Sequence, residues 1–467
     1  MSQSTELHYL DIVELAAHIK AGTISSREAT LAQLERIESL DRKLCSYASL
    51  MFEQALFDAE AADQELAAGH ARGPLHGIPI AVKDICWTKG HPTSAGMRLH
   101  RDFLPDRDAT VVTRLRAAGA VVLGKTQLTE GAYSDYHPSI EPPRNPWNAD
   151  YWPGISSSGA AIATAAGLCF AGIASDTGGS IRWPCYANGV TGIKPTWGRV
   201  SRFGVFELAA SLDHVGTIAR TAIDAGLLLH AIAGCDPLDP TSLTEALPDF
   251  PSVAKPDLWG MRIGVDLTWN QMDVDPATQD MLKSAMAIFH ELGAELLPIE
   301  FPDARQTLRD WVANCAVEAA TAHAQTFATN RSEYGAVLAA VIEHGRSLRA
   351  TEYQQILLRR MDFRGRVTAT FKDVDLLLVP VQPMSPLTLA TIRTLGEQPE
   401  LIERLQRYTC PFDMTGHPSI TLPGGFTQAG MPMGFQLVAP ALHEHNLVRA
   451  GAAFQCATDW HRRRPVL

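Results

Sequence analysis

A chain of 467 residues is long enough for one large α/β domain or for two to three smaller ones. Hydrophobic residues make up 46% and charged residues 19%, a globular composition that argues against disorder. The net charge of −11 leaves no electrostatic footprint for direct contact with nucleic acid. Glu6, Asp11 and the lack of an apolar run near the N-terminus give no signal-peptide pattern. The longest nearly apolar stretch, Ala160 to Ala174, is Ala/Gly-rich and short for a membrane helix, which suits a buried core segment. The eight cysteines are scattered, with no C-x-x-C pair, and read as reduced, buried thiols. A cytoplasmic location without membrane contact is expected.

Residues 11–70 read as helices. Ser25 and Glu28 have capping-box spacing, with Leu31, Leu34 and Ile37 on one face behind them. Met51 to Ala68 is a second helical stretch, closed by Gly69. From about Pro74 short apolar runs alternate with helical stretches. Ile78–Val82 is a strand candidate in which Pro79 suggests an edge or irregular strand. The helical stretch Thr110–Ala118 leads into a second candidate, Ala120–Leu123. Leu168–Ala174, Ile263–Leu267 and Leu376–Val379 follow. The fold class is therefore α/β, with a large mixed sheet covered on both faces by helices. Thr241 to Pro256 reads as a polar, Pro-rich surface loop, and 276–370 as mostly helical.

Three motifs mislead. Gly119 to Thr126 matches G-x4-G-K-[ST], but its four middle residues are themselves the strand, so no phosphate loop is expected. Asp176-Thr177-Gly178 matches an aspartic-protease tripeptide, but no second copy supplies the partner carboxylate. His443, His445 and His461 lack H-E-x-x-H spacing and read as surface histidines, so no metal site is expected.

The chemistry lies in 154–200. Gly154-Ile-Ser156-Ser157-Ser158-Gly159 and Ser175-Asp176-Thr177-Gly178-Gly179-Ser180-Ile181-Arg182 bracket the apolar segment, and Gly192-Ile-Lys194-Pro195 follows. Glycines beside serines let the backbone approach a ligand closely. Successive N–H groups of Thr177 to Ser180 are able to converge as an anion nest, although two ordinary surface loops fit the same composition. These stretches resemble the signature of the amidase signature family, roughly G-G-S-S-G-G-S followed by D-T-G-G-S-I-R-x-P. Further stretches match it in order: Gly77-Ile-Pro-Ile-Ala-Val-Lys83-Asp84, Asp108-Ala-Thr-Val-Val, Gly124-Lys125-Thr126, Arg144-Asn145-Pro146-Trp147, Ser211 to Gly216, Gly416-x-Pro418 and Gly430 to Gln436.

The resemblance implies one domain over 1–467, with a helical segment (1–70), a catalytic core (74–240), a mostly helical part (276–370) and a return to the core sheet (371–467). It implies hydrolysis of a small-molecule amide through an acyl-enzyme. Ser180 is the expected nucleophile, Ser156, on a non-proline cis peptide, the bridging serine, and Lys83 the base. Thr177, Gly178, Gly179 and Ser180 are the expected oxyanion donors, with Asp176 and Arg182 supporting the loop. A lysine base must be neutral, and burial at a strand end favours that state. No cofactor is expected, and a homodimer is expected only by analogy with relatives.

Ile155 and Ser158 replace glycines of the family pattern, and Ser157 is a rival for the bridging role. Tyr133, Tyr136, His137 and Trp183 are candidate pocket residues, with Trp87 and Met97 as further guesses. The glutaminase component of the tRNA-dependent amidotransferase is a relative. Its Tyr-rich helical stretch is replaced here by Ala350 to Gln355, and its acidic residue before T-x-P by Gln406 ahead of Thr409-Cys410-Pro411. A free-standing amidase is therefore preferred over such a glutaminase and over an inactive interaction protein on the same fold.

Overall fold

A computed structural model describes residues 6–246, 248, 250 and 257–467. Its strands are β1 (Tyr47–Leu50), β2 (Pro79–Lys83), β3 (Val121–Thr126), β4 (Ala171–Asp176), β5 (Thr191–Lys194), β6 (His214–Ala219), β7 (Arg262–Val265), β8 (Glu295–Pro298), β9 (Leu376–Pro380), β10 (Ser419–Phe426) and β11 (Pro432–Val438). They form one 11-stranded mixed sheet in the order β1-β3-β2-β4-β6-β5-β10-β11-β9-β7-β8. β2 runs parallel to both β3 and β4, β7 parallel to β8 and β9, and the remaining pairs are antiparallel.

Local rules explain the N-terminal helices. Ser25 Oγ accepts from Glu28 N–H at 3.0 Å while Ser25 N–H donates to Glu28 at 2.7 Å, starting the helix Ser26–Leu44. Leu34 and Ile37 are buried, and Leu31 is half-buried. The all-helical reading of 11–70 omits β1, which lies between this helix and Phe52–Ala67 and pairs with β3 at one edge of the sheet. Pro79 does not mark an edge, because β2 is interior. As the first residue of its strand it needs no ladder N–H, and the irregularity is a register shift against β3 at Ile80/Ala81.

The apolar stretch Ala160 to Ala174 is buried throughout and divides into the helix Ser158–Ala165 and most of β4. Strand alternation then places helices on both faces. Ala174 and Ile218 cluster with Ala161 and Cys185 of the helices Ser158–Ala165 and Arg182–Asn188. Ile173 and Ile193 join the larger cluster with Leu228 and Leu447 of the helices Ala222–Ile232 and Glu444–Ala457. The region 276–370 holds four long helices, Pro276–Glu291, Arg305–Ala322, Ala336–Ser347 and Ala350–Thr370, and also contains β8.

Of the stretch Thr241 to Pro256, residues 247, 249 and 251–256 lie outside the described residues. Not all thiols are buried: Cys235 and Cys456 are exposed and Cys45 is half-buried. Of the C-terminal histidines only His443 is exposed, since His445 and His461 are partly covered. Among the described residues no helix is long and apolar enough to cross a membrane.

Gly159 is the tightest link between the serine loop and its support. A Cβ there would lie 2.5 and 2.6 Å from Gln127 N and O and would press on Ser46 O. Gly159→Ala is expected to lower stability by about 1–3 kcal/mol through overpacking against backbone. Gly365, in the helix Ala350–Thr370, has nothing within 4 Å of the added atom, and Gly365→Ala should raise stability by about 0.5–1 kcal/mol. The urea midpoints of the two variants against the parent check the pair, and an unchanged Gly159→Ala midpoint would show that the contact yields freely.

Candidate active site

The carboxyl ends of adjacent parallel strands meet at one place, where open α/β sheets commonly bind ligands. Lys83 is the last residue of β2, and Ser175-Asp176 the last two of β4. The Ser156-Ser157 segment leads into the helix Ser158–Ala165 between them, with a cis peptide joining Ile155 to Ser156. Lys83 has no exposed surface. Its Nζ reaches Ser156 Oγ at 2.7 Å, Ser157 Oγ at 2.8 Å and Ser175 Oγ at 2.9 Å. Burial pulls its pKa down to about 7, against the opposing charges of Asp176 and Asp213, so the amine is readily neutral.

Hydrogen-bond partners separate Ser156 from its rival. Ser157 Oγ donates to Ser175 O at 3.1 Å, and Ser157 N–H to Ser180 O at 3.2 Å. The Ser157 hydrogen is therefore already in use. Ser156 Oγ has Lys83 as its protein partner and keeps its hydrogen free to pass on.

Beyond β4 the chain turns through Thr177–Ser180 into the helix Arg182–Asn188. Every carbonyl of that turn has a partner: Thr177 O accepts from Trp311 Nε1 at 2.8 Å, Gly178 O from Cys410 Sγ at 3.5 Å, Gly179 O from Trp183 N–H at 2.8 Å, and Ser180 O from Ser157. The Gly179 N–H is donated to Asp176 Oδ1 at 2.6 Å, so it is not free alongside the other expected oxyanion donors. Thr177, Gly178 and Ser180 N–H have no protein partner among the described residues, which leaves three donors for an incoming anion.

Asp176 shapes this turn. It also accepts from Ile181 N–H at 2.9 Å and from Arg182 Nε at 3.0 Å and Nη2 at 2.8 Å. Burial alone would raise its carboxyl, but the Arg182 charge and these bonds hold it well below the usual carboxylate range. Arg182 also reaches Asp413 Oδ2 at 2.5 Å and Thr409 O at 2.9 Å. Thr177 Oγ1 donates to Asp213 Oδ1 at 2.7 Å.

The candidate pocket residues separate. Tyr136 Oη pairs with Ser158 Oγ at 2.6 Å, so Ser158, a departure from the family pattern, anchors a neighbour of the serine loop. Trp183 covers Gly179, whose added Cβ would meet the indole at 2.7 Å, and packs with Trp152 at 6.1 Å between centroids. The half-buried Tyr133 has Cys315 and Cys410 as neighbours, and Cys410 touches Gly178 O. His137 is not brought to the lysine: its Nδ1 pairs with Ser139 Oγ at 2.7 Å in a local turn. Trp87 joins Phe103, Phe203 and Phe206, and Met97 is buried core.

Ser175, Trp311 and Asp413 complete the arrangement, and none stands out by residue type or spacing. The P-loop lookalike ends in strand: Lys125 is buried against Asp84 at 3.3 Å and Thr93 at 2.9 Å. A cavity of about 760 Å³ between the helix Ser26–Leu44, β1 and residues 139–141 includes none of the site residues.

Replacing Arg182 by Met would remove the only cation bonded directly to Asp176 and Asp413 among the described residues, leaving the two buried carboxyls with Lys194 as their nearby positive charge. A loss of about 3–5 kcal/mol is expected, read by denaturant unfolding. A loss under about 1 kcal/mol would show that the two carboxyls share the burden another way.

The chain matches known proteins along nearly its whole length. The Amidase family model matches residues 28–448. AmiD of Mycobacterium tuberculosis (strain H37Rv), an amidase by assignment, is 49% identical over 460 residues, covering 98% of this chain and 96% of that protein. One component of the glutamyl-tRNA(Gln) amidotransferase of Moorella thermoacetica is 38% identical over 490 residues, covering 99% of each. A solved structure from a vestigial protein complex, described as revealing the evolutionary origins of an s-triazine catabolic enzyme, superposes with a TM-score of 0.90 at 30% identity over 98% of this chain and 100% of that one. Matched along nearly its whole length, the chain belongs to the Amidase family and is an amide hydrolase.

Proposed function

We propose that the protein cleaves the carbon–nitrogen bond of a small amide through a covalent acyl-enzyme, with Ser180 as nucleophile, Ser156 as proton relay and Lys83 as base. The observation that carries this reading is a fully buried lysine in contact with three hydroxyls and no carboxylate, with its pKa brought down to about 7. A serine hydroxyl is a weak nucleophile and needs such a base.

In the proposed sequence neutral Lys83 takes the Ser156 proton as Ser156 takes that of Ser180. The Ser180 oxygen attacks the carbonyl carbon. The oxyanion forms against the N–H groups of Thr177, Gly178 and Ser180, in a setting where one such donor is worth roughly 10²–10³ in rate. The proton returns through Ser156 to the departing nitrogen, which leaves as ammonia or an amine. Water then attacks the acyl-enzyme with Lys83 and Ser156 again as base and relay, releasing the acid.

The 38% identity to an amidotransferase component supports a second reading, a glutaminase that feeds ammonia to partner subunits. The higher identity to AmiD favours the free-standing enzyme. So do Gln406, which brings no charge for a glutamine amino group, and Ala350 to Gln355, which stand in place of the Tyr-rich stretch. The intact Lys83, Ser156 and Ser180 set argues against an inactive interaction protein.

Ammonia and amine release from glutamine, short aliphatic amides, a benzamide, an anilide and a ureide tests the proposal. Turnover of a non-glutamine member is expected, falling by on the order of 10⁴-fold or more in Ser180→Ala. Turnover of glutamine alone, or only with added partner subunits, would favour the second reading, and activity surviving in Ser180→Ala would remove Ser180 as nucleophile. Because the base works deprotonated, kcat/KM should rise with pH through about 7 and level off above it. A profile that falls over that range would exclude Lys83 as base.

A further inference from the structure

Counting hydrogens around Lys83 assigns a role to a residue outside the proposed triad. A neutral amine gives two N–H bonds and receives one at its lone pair, whereas an ammonium gives three and receives none. Ser157 Oγ has its hydrogen on Ser175 O, so toward the amine it can only accept. If Ser156 hands its hydrogen to the lone pair, one N–H goes to Ser157 and the second has one oxygen left, Ser175 Oγ at 2.9 Å. Ser175 belongs to β4, where it pairs with Val215 of β6, so this oxygen is placed by the sheet and not by the serine loop.

We infer that Ser175 is a positioning residue for amide hydrolysis: together with Ser157 it takes both N–H bonds of the neutral Lys83 amine and so turns the lone pair onto Ser156. The inference rests on the proposal that Lys83 is the base.

The same oxygen bears on how readily Lys83 is charged. When Lys83 takes the proton, Ser156, Ser157 and Ser175 become its three acceptors. No carboxylate touches it: the ionisable groups facing it are Asp176 at the end of β4, Asp213 in the segment before β6 and Cys86 beyond β2, with Lys125 of β3 behind Cys86. Bonds from an ammonium are about twice as strong as those from an amine, so losing the Ser175 oxygen penalises the charged form more.

The test follows phosphonylation of Ser180 by a fluorophosphonate probe as a function of pH. The Ser180 O–P bond forms, P–F breaks, fluoride leaves, and the Ser180 proton passes through Ser156 to Lys83. Ser175→Ala is expected to lower the plateau rate about tenfold or more. It should also move the acidic limb down by about one pH unit. Ser175→Thr, which keeps the oxygen, should restore both. Ser157→Ala removes the other N–H acceptor and should move the limb the same way, which keeps the test open if Ser175→Ala does not fold.

An unchanged rate and profile in Ser175→Ala overturns the inference. So does a lower rate with an unmoved limb, the signature of a merely structural defect. If Lys83→Ala reacts as fast as the parent, Lys83 is not the base and both readings fall. If Lys83→Ala is slow and Ser175→Ala normal, only the role of Ser175 falls.

Discussion

The contact between Asp176 and Arg182 governs the site. One buried carboxylate collects the N–H groups of Gly179 and Ile181 and two guanidinium N–H bonds, which curls the chain after β4 into a single turn. The outer side of the guanidinium fastens that turn to Thr409 and Asp413. A buried ion pair is a weak source of net stability, because desolvation offsets most of the attraction, but it is strict about geometry. Here the geometry it dictates is a loop whose carbonyls are bonded to protein and whose N–H groups of Thr177, Gly178 and Ser180 are left without a protein partner among the described residues.

The state of Lys83 follows from the same contact. A carboxylate beside a lysine holds it charged, and a charged lysine accepts no proton. Asp176 is near enough to oppose the effect of burial, but its oxygens are engaged by Arg182 and by backbone N–H groups, so only hydroxyls touch Lys83. The Asp176 carboxylate is thus taken up by Arg182 and the turn, and the lysine is left in contact with uncharged oxygens.

Much of the scaffold was legible in the sequence, for identifiable reasons. Continuous apolar runs announced β2, β3 and β9 because strands buried on both faces tolerate little else. The short or glycine-bearing strands escaped: β1 is four residues long beside two helices, β5 reads Thr-Gly-Ile-Lys, and β10 carries Pro423, Gly424 and Gly425. At the site, the Gly/Ser segments and their resemblance to a family brought out Lys83, Ser156 and Ser180. Ser175 lay inside the same segment but had no distinguishing neighbour, since its significance depends on β2 lying alongside β4. Trp311 and Asp413 meet the loop across 134 and 231 residues of chain, a distance over which spacing carries no signal. The contacts of His137 in a local turn and of Trp87 in an aromatic cluster were not legible either, because both depend on how neighbouring loops fold.

The reach of Arg182 has a consequence for synthesis on the ribosome. Its partners Thr409, Asp413 and Gln436 belong to the last seventh or so of the polypeptide, whereas Lys83 and both loop serines are made in the first half. A nascent chain therefore carries every group of the proposed triad long before it has the residues that fasten the turn after β4. Fastening of that turn waits on translation being nearly finished, and a chain abandoned partway is left without the far half of its own mould.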